Sequence, residues 1–167
     1  MDENEISYKI RGAIFNVYNN FGPGLLESVY IFALEYELKQ VGLKVLKEVP
    51  VPVYYKEEKL EVGFRLDLLV ENKVIIEVKS VENLAEVHHK QTITYLKLTN
   101  LKLAILVNFN VENISSGIFR KVNGLWNPGG KIRPFRIVNG VEKQKNSPQI
   151  SQISAEINYK SLKKKRR

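Results

Sequence analysis

The chain has 167 residues, 44% apolar and 26% charged, enough for one domain with its own core and ordinary for a soluble globular protein. It has no cysteine and two adjacent histidines, which excludes disulfides and Cys-based zinc sites and argues against a multi-histidine metal centre; no apolar run approaches the ~20 residues of a membrane helix. The net charge of +8 belongs to one end: residues 1–130 carry 15 Lys/Arg against 16 Asp/Glu, whereas residues 131–167 carry 11 against two.

The opening MDENEISYK is acidic and polar, unlike a signal peptide, so a cytoplasmic location is expected. Ile6, Ile10, Ala13, Ile14, Val17 and Tyr18 recur at helical spacing and predict a helix over 5–20. NNFGPG breaks it, and a second helix is expected from near Pro23 to about Val41, with Gly42 as its stop. From Lys44 to Ser80 the pattern is that of strands. LKVLKEVPVPVYY is β-branched and aromatic, but its two prolines point to an edge or irregular strand. YYKEEKLEV reads as a hairpin around Glu57 and Glu58, followed by the two strands of GFRLDLLVENKVIIEVKS. A third helix is expected from Glu82 to Leu98. Leu101 to Phe109 then reads as an apolar strand covered on both faces, and GIFRKVNG as another strand.

Beyond Leu125, WNPGGKIRP is loop-like and QKNSPQISQIS reads as flexible. FRIVNG, from Phe135 to Gly140, nearly repeats FRKVNG, from Phe119 to Gly124; it could pair beside its twin or form an exposed extension. The tail ends in Lys163, Lys164, Lys165, Arg166 and Arg167, candidate phosphate-binding residues; a solvated end that aids solubility is equally consistent. The expected class is α/β, a mixed central sheet flanked by helices, with residues 1–125 as the domain and 126–167 as a basic, partly flexible extension. Edge strands and the duplicated segment leave a homodimer open.

Charge inside GFRLDLLVENKVIIEVKS needs a reason. Side chains alternate along a strand, so Leu66, Leu68 and Val70 are expected on one face and Arg65, Asp67 and Leu69 on the other. Val74, Ile76 and Val78 likewise oppose Ile75, Glu77 and Lys79. A two-residue turn would pair Leu68 with Glu77. A three-residue turn, Glu71 to Lys73, pairs Leu68 with Ile76 and Leu66 with Val78, and sets Asp67 opposite Glu77. A one-residue slip flips a whole face, so the apolar pattern selects the second register, in which Asn72 suits a left-handed position. Two carboxylates opposed across strands lie ~5 Å apart at Cβ and raise each other's proton affinity. A hard divalent cation such as Mg²⁺ would relieve the conflict. So would simple ion pairs of Asp67 with Arg65 or Lys79 on an exposed face.

Asp67 followed by Glu77-Val78-Lys79 resembles the D…(D/E)-x-K signature of the PD-(D/E)XK nuclease superfamily. GPGLLESVY contains Gly24-x-x-Glu27-x-x-Tyr30, the hallmark of the GxxExxY family within it. KQTITY contains Gln91-x-x-x-Tyr95, similar to the motif of an exonuclease branch that includes lambda exonuclease. The motifs occur in the expected order, and the resemblance spans roughly residues 6–125. Leu66 stands where the signature's proline would be. The resemblance implies a restriction-endonuclease-like αβββαβ core, a Mg²⁺ or Mn²⁺ site and, in active members, hydrolysis of nucleic-acid phosphodiesters. It implies Asp67, Glu77, the Val78 carbonyl and Glu27 as metal ligands, with Lys79, Gln91 and Tyr95 completing the catalytic set.

Each residue also has a plainer reading. Glu27 heads the row Ile31, Leu34, Leu38, which directs it toward the sheet, yet a first-turn Glu also suits the helix dipole. Tyr30 either steers Glu27 or packs. Gln91 lies on the row Leu84, Val87, Tyr95, Leu98, so Gln91 and Tyr95 form either part of the site or a buried hydrogen-bonded pair. His88, His89, Gly22, Pro23 and Gly24 are not expected to act in the chemistry. The competing functional readings are a nuclease-fold binding or assembly module without catalysis, and a nuclease active only inside a larger complex.

Overall fold

The structure, a computed structural model, describes residues 1–123, 137–138 and 141–142. Helix α1 spans Glu3–Phe21. Asp2 caps it by accepting the N–H groups of Asn4 and Glu5, both at 2.8 Å, while the Glu5 carboxylate accepts the Asp2 N–H at 2.7 Å. Helix α2 spans Glu27–Gln40, starting four residues beyond Pro23. Gly22 and Gly24 hold φ of 66° and 99°, which no helix continues through. The Tyr30 hydroxyl braces this loop, donating to the Gly22 carbonyl at 2.7 Å and accepting the Leu25 N–H at 3.1 Å.

A five-stranded sheet carries β1 (Val45–Tyr55), β2 (Glu58–Val70), β3 (Val74–Lys79), β4 (Leu103–Asn108) and β5 (Ile118–Val122) in sequence order. Only β3 and β4 pair parallel; helix α3 (Glu86–Thr99) makes the crossover between them. The proline-bearing β1 lies at the edge, as its composition requires. The turn joining it to β2 is Lys56-Glu57, one residue earlier than expected, with Lys56 at φ 57°. The duplicated FRxVNG segment does not pair beside its twin in the described residues: β6 (Ile137–Val138) pairs with β7 (Val141–Glu142). Lys163 to Arg167 and most of 126–167 lie outside the described residues. Among the described residues, no helix is long and apolar enough to cross a membrane.

Helices α1 and α2 cover one sheet face, burying Leu68, Val70, Ile76, Val78, Ile105 and Val107; α3 covers the other, with Leu69, Ile75 and Ala104. Every residue of β4 is buried, as its unbroken apolar run predicts. This is the restriction-endonuclease-like α/β arrangement expected from the motifs. The β2–β3 register is the predicted one: Leu68 faces Ile76 and Val70 faces Val74 across a three-residue loop. Glu71 and Asn72 both take positive φ, 52° and 54°, and Lys73 N–H closes the turn on Val70.

One face assignment is corrected. Leu66 packs with Val49 and Val51 on the α3 side, not with Leu68 and Val70. The alternation breaks between Leu66 and Leu68, where Glu48 of β1 sits at φ 53° between the pairs Lys47–Leu68 and Val49–Leu66. Asp67 stands across from that irregularity.

Candidate active site

The β2–β3 ladder ends at Leu68–Ile76, one step before Asp67 and Glu77. There the strands part, and the Asp67 side chain takes the place of a backbone partner: its Oδ2 accepts the Val78 N–H at 2.8 Å. A strand residue's N–H and C=O point to the same edge, so the Val78 carbonyl faces this gap as well.

Glu77 follows Ile75 on the α3 side of the sheet. It is 2% exposed. One carboxylate oxygen accepts the Lys79 ammonium at 2.7 Å; the other, Oε2, is buried with no hydrogen-bond partner. Burial, then the Asp67 charge, lifts the Glu77 carboxyl to about 7 against the opposing pull of Lys79. Burial also raises Asp67, partly offset by the Val78 N–H and Lys79. For Lys79, burial works to lower the pKa, but Glu77, Asp67 and Glu27 outweigh it and hold the ammonium above its usual range.

Glu27 opens α2, and its Oε1 accepts the Ser80 N–H at 3.2 Å. Ser80 Oγ donates to the Leu25 carbonyl at 2.6 Å. Glu27 thus stands beside the Asp67–Glu77 pair, tied to the residue after Lys79. Tyr30 does not steer it; its ring stacks on Phe109 at 4.2 Å between centroids. On α3, Gln91 Nε2 donates to the Tyr95 hydroxyl at 2.8 Å. Tyr95 is raised to about 12 by burial and by the Glu77 and Asp67 charges, which places it in their field. The apolar stripe expected around Gln91 is not continuous: Val87 is 63% exposed, and the buried face is Thr92, Tyr95, Leu96 and Thr99.

His88 lies outside the site, its Nδ1 accepting the Ala85 N–H at 3.1 Å. His89 packs edge-on against Phe119. Two residues escaped the motifs. Ser80 is one. The other is Asn108, buried at the end of β4 and paired in register with Lys79. Its Oδ1 accepts the N–H groups of Val81 at 3.0 Å and Asn110 at 3.2 Å, and its Nδ2 donates to the Val81 carbonyl at 2.7 Å. A lone amide ending the run LAILVN was the available signal, because a buried amide must find partners.

Compared with known families, residues 4–121 match the PD-(D/E)XK nuclease superfamily, most of the chain. The chain belongs to the PD-(D/E)XK nuclease superfamily. No curated protein and no solved structure matches it.

Nucleases of this superfamily generally use divalent metals. Among the described residues, no three His, Cys, Asp or Glu side chains gather as a ready-made cage. The candidate oxygen donors are instead two carboxylates, Asp67 and Glu77, and Glu77 Oε2 is a buried acceptor with no partner. Hard oxygen donors and an unsatisfied carboxylate fit Mg²⁺ or Mn²⁺, which commonly take one or two carboxylates and fill the remaining positions with water and phosphate oxygens.

Proposed function

We propose that this superfamily member is a metal-dependent nuclease of the GxxExxY family that hydrolyses nucleic-acid phosphodiester bonds. The observation that carries the reading is the orphaned Oε2 of Glu77, buried beside Asp67 with Lys79 on the other oxygen. A buried carboxylate oxygen without a partner is costly in a protein that has no use for it. Asp67 and Glu77 would hold the divalent ion, with the Val78 carbonyl at the same gap and Glu27 alongside. When bound, that ion supplies Lewis acidity toward the scissile phosphate and lowers the pKa of a bound water. The chain's own groups do the rest. Lys79 remains an ammonium, and donates hydrogen bonds to the attacking water and to charge developing on phosphate. Glu27, fixed on Ser80, orients water at the mouth. Gln91, braced on Tyr95, offers its amide to a phosphate oxygen. The basic residues Lys163 to Arg167 add salt-sensitive attraction to the nucleic acid.

Incubation of the purified protein with single- and double-stranded DNA and RNA, with Mn²⁺ or Mg²⁺, tests this. Lys79→Ala is expected to lower the cleavage rate by roughly 10²–10³-fold while calorimetric metal binding persists. Asp67→Ala is expected to lose both. Cleavage unchanged in both variants sinks the mechanism. A protein that neither cleaves nor binds metal is the binding or assembly module, and one that binds metal without cleaving requires its larger complex.

A further inference from the structure

Strand β2 is much longer than its pairing with β3. It pairs with β1 from Val70 down to Glu58, but with β3 only from Val70 to Leu68. The antiparallel register, continued past its last pair at Leu68–Ile76, would bring Arg65 level with Lys79, the last residue of β3. Phe64 and all that precedes it to the Lys56-Glu57 turn therefore lie past the end of β3, an arm roughly 25 Å long at ~3.3 Å per residue. The arm begins at the mouth of the candidate site.

Its composition is unusual for a projecting hairpin. Tyr54, Tyr55, Leu60 and Phe64 are exposed by 37%, 66%, 38% and 37%. From Tyr54 to Phe64 the arm carries two Lys, Lys56 and Lys59, against three Glu, Glu57, Glu58 and Glu61, so attraction for phosphates is not its specialty. Phe64 is the joint between arm and site. It sits opposite Val51 and meets the Tyr95 ring edge-on at 5.3 Å, and Tyr95 lies in the field of Glu77 and Asp67. Its neighbour Gly63 leaves no room for a side chain: a Cβ there would lie 2.8 Å from the Val51 carbonyl oxygen. Close strand contact thus holds Phe64 half out of the core beside the catalytic groups.

We propose that this arm binds an unpaired nucleic-acid strand, with the base next to the scissile phosphate stacked on Phe64 and the following strand carried along Leu60 and Tyr55. The proposal deepens the nuclease reading and rests on it for the identity of the ligand. An aromatic arm without net positive charge suits exposed bases, which every sequence offers as flat π faces. It does not suit a duplex, whose bases are stacked inside and whose outer surface is phosphate.

The test is fluorescence anisotropy of the full chain in EDTA, where cleavage is stopped. The probes are a fluorescein-labelled 20-mer of thymidine, a matched blunt duplex and a 20-mer with abasic sites. Phe64→Ala is expected to weaken binding of the single strand by roughly 5- to 150-fold, and Phe64→Trp to preserve it. The duplex and the abasic strand should bind more weakly to the wild type and be unaffected by Phe64→Ala. Tyr55→Ala, at a far more exposed position, is expected to weaken the single strand without touching the core, and covers the case in which Phe64→Ala does not fold. Single-strand binding indifferent to both aromatic substitutions, or a wild type that prefers the duplex, overturns the proposal. A parallel assay with Mn²⁺ separates the two readings. Phe64-dependent binding without cleavage keeps the arm and removes the nuclease; cleavage with Phe64-independent binding does the reverse.

Discussion

Glu77 is a carboxylate almost out of water, with one oxygen on Lys79 and the other on nothing. Its pKa of about 7 lies above the ordinary 4.5, so the folded chain holds this proton more tightly than the unfolded chain does. The stability it contributes is therefore greatest below pH ~4.5 and is lost as pH rises to about 7, by up to ~3 kcal/mol. Asp67 shifts in the same direction. Urea melts of metal-free protein are expected to show stability falling across this window, with a flatter profile in Glu77→Gln; parallel profiles would refute the assignment. Metal affinity should run the opposite way, rising through neutral pH as the ligands deprotonate. Asn108 acts one bond further out, by tethering Val81 just after Lys79 and Ser80. Asn108→Ala strands the Val81 N–H and carbonyl, and is expected to cost on the order of 1–3 kcal/mol. Faster hydrogen exchange at the Ser80 and Val81 amides would be its local signature; unchanged exchange there would show that the tether is not what orders the segment.

At the scale of elements, the β2–β3 hairpin is what brings the two carboxylates together. Its three-residue loop carries Glu71 and Asn72 at positive φ, where a β-branched side chain is strained. Asn72→Val is expected to destabilise the fold by ~1–2 kcal/mol, read as a lower urea midpoint, and Asn72→Gly to be neutral or better. Equal stability of the Val and Gly variants would contradict the turn geometry. The alternation rule holds from Leu68 to the turn and back along β3, then fails at Asp67, where Glu48 interrupts the neighbouring strand. From that point β2 and β3 are no longer paired, and the Asp67 side chain accepts the Val78 N–H. The same departure lets β2 run on past the end of β3 as the aromatic arm.

For the whole molecule, the sheet is covered by α1 and α2 on one face and α3 on the other, and the candidate site lies where β3 ends. The body is near neutral and the positive charge is concentrated after residue 130. Replacing Lys163, Lys164, Lys165, Arg166 and Arg167 together by Gln is expected to flatten the dependence of nucleic-acid binding on log salt. The slope should fall by up to ~3.5 for a single strand, at ~0.7 per neutralised phosphate, with cleavage chemistry at saturation unchanged. An unaltered salt slope would remove the tail from the binding surface.

By itself the sequence determined the existence of the three helices, though α3 begins at Glu86 rather than Glu82, the edge position of the proline strand, the buried β4 and the Leu68–Ile76 register that brings Asp67 and Glu77 to the same end of the hairpin. All of these follow from local periodicity and backbone chemistry, which act over a few residues. Helix α2 starts at Glu27 rather than near Pro23 because two glycines at positive φ and the Tyr30 brace outweigh the helix-starting preference of Pro23. Only the tertiary structure decided that Leu66 faces α3, that Asp67 binds Val78, that Glu27 reaches Ser80 and that Asn108 holds the strand end. Each of these joins a side chain to another segment's backbone or packing. Glu27 and Ser80, for instance, are 53 residues apart. No pattern within a strand or helix encodes such a meeting, because it depends on how the finished layers are placed against one another.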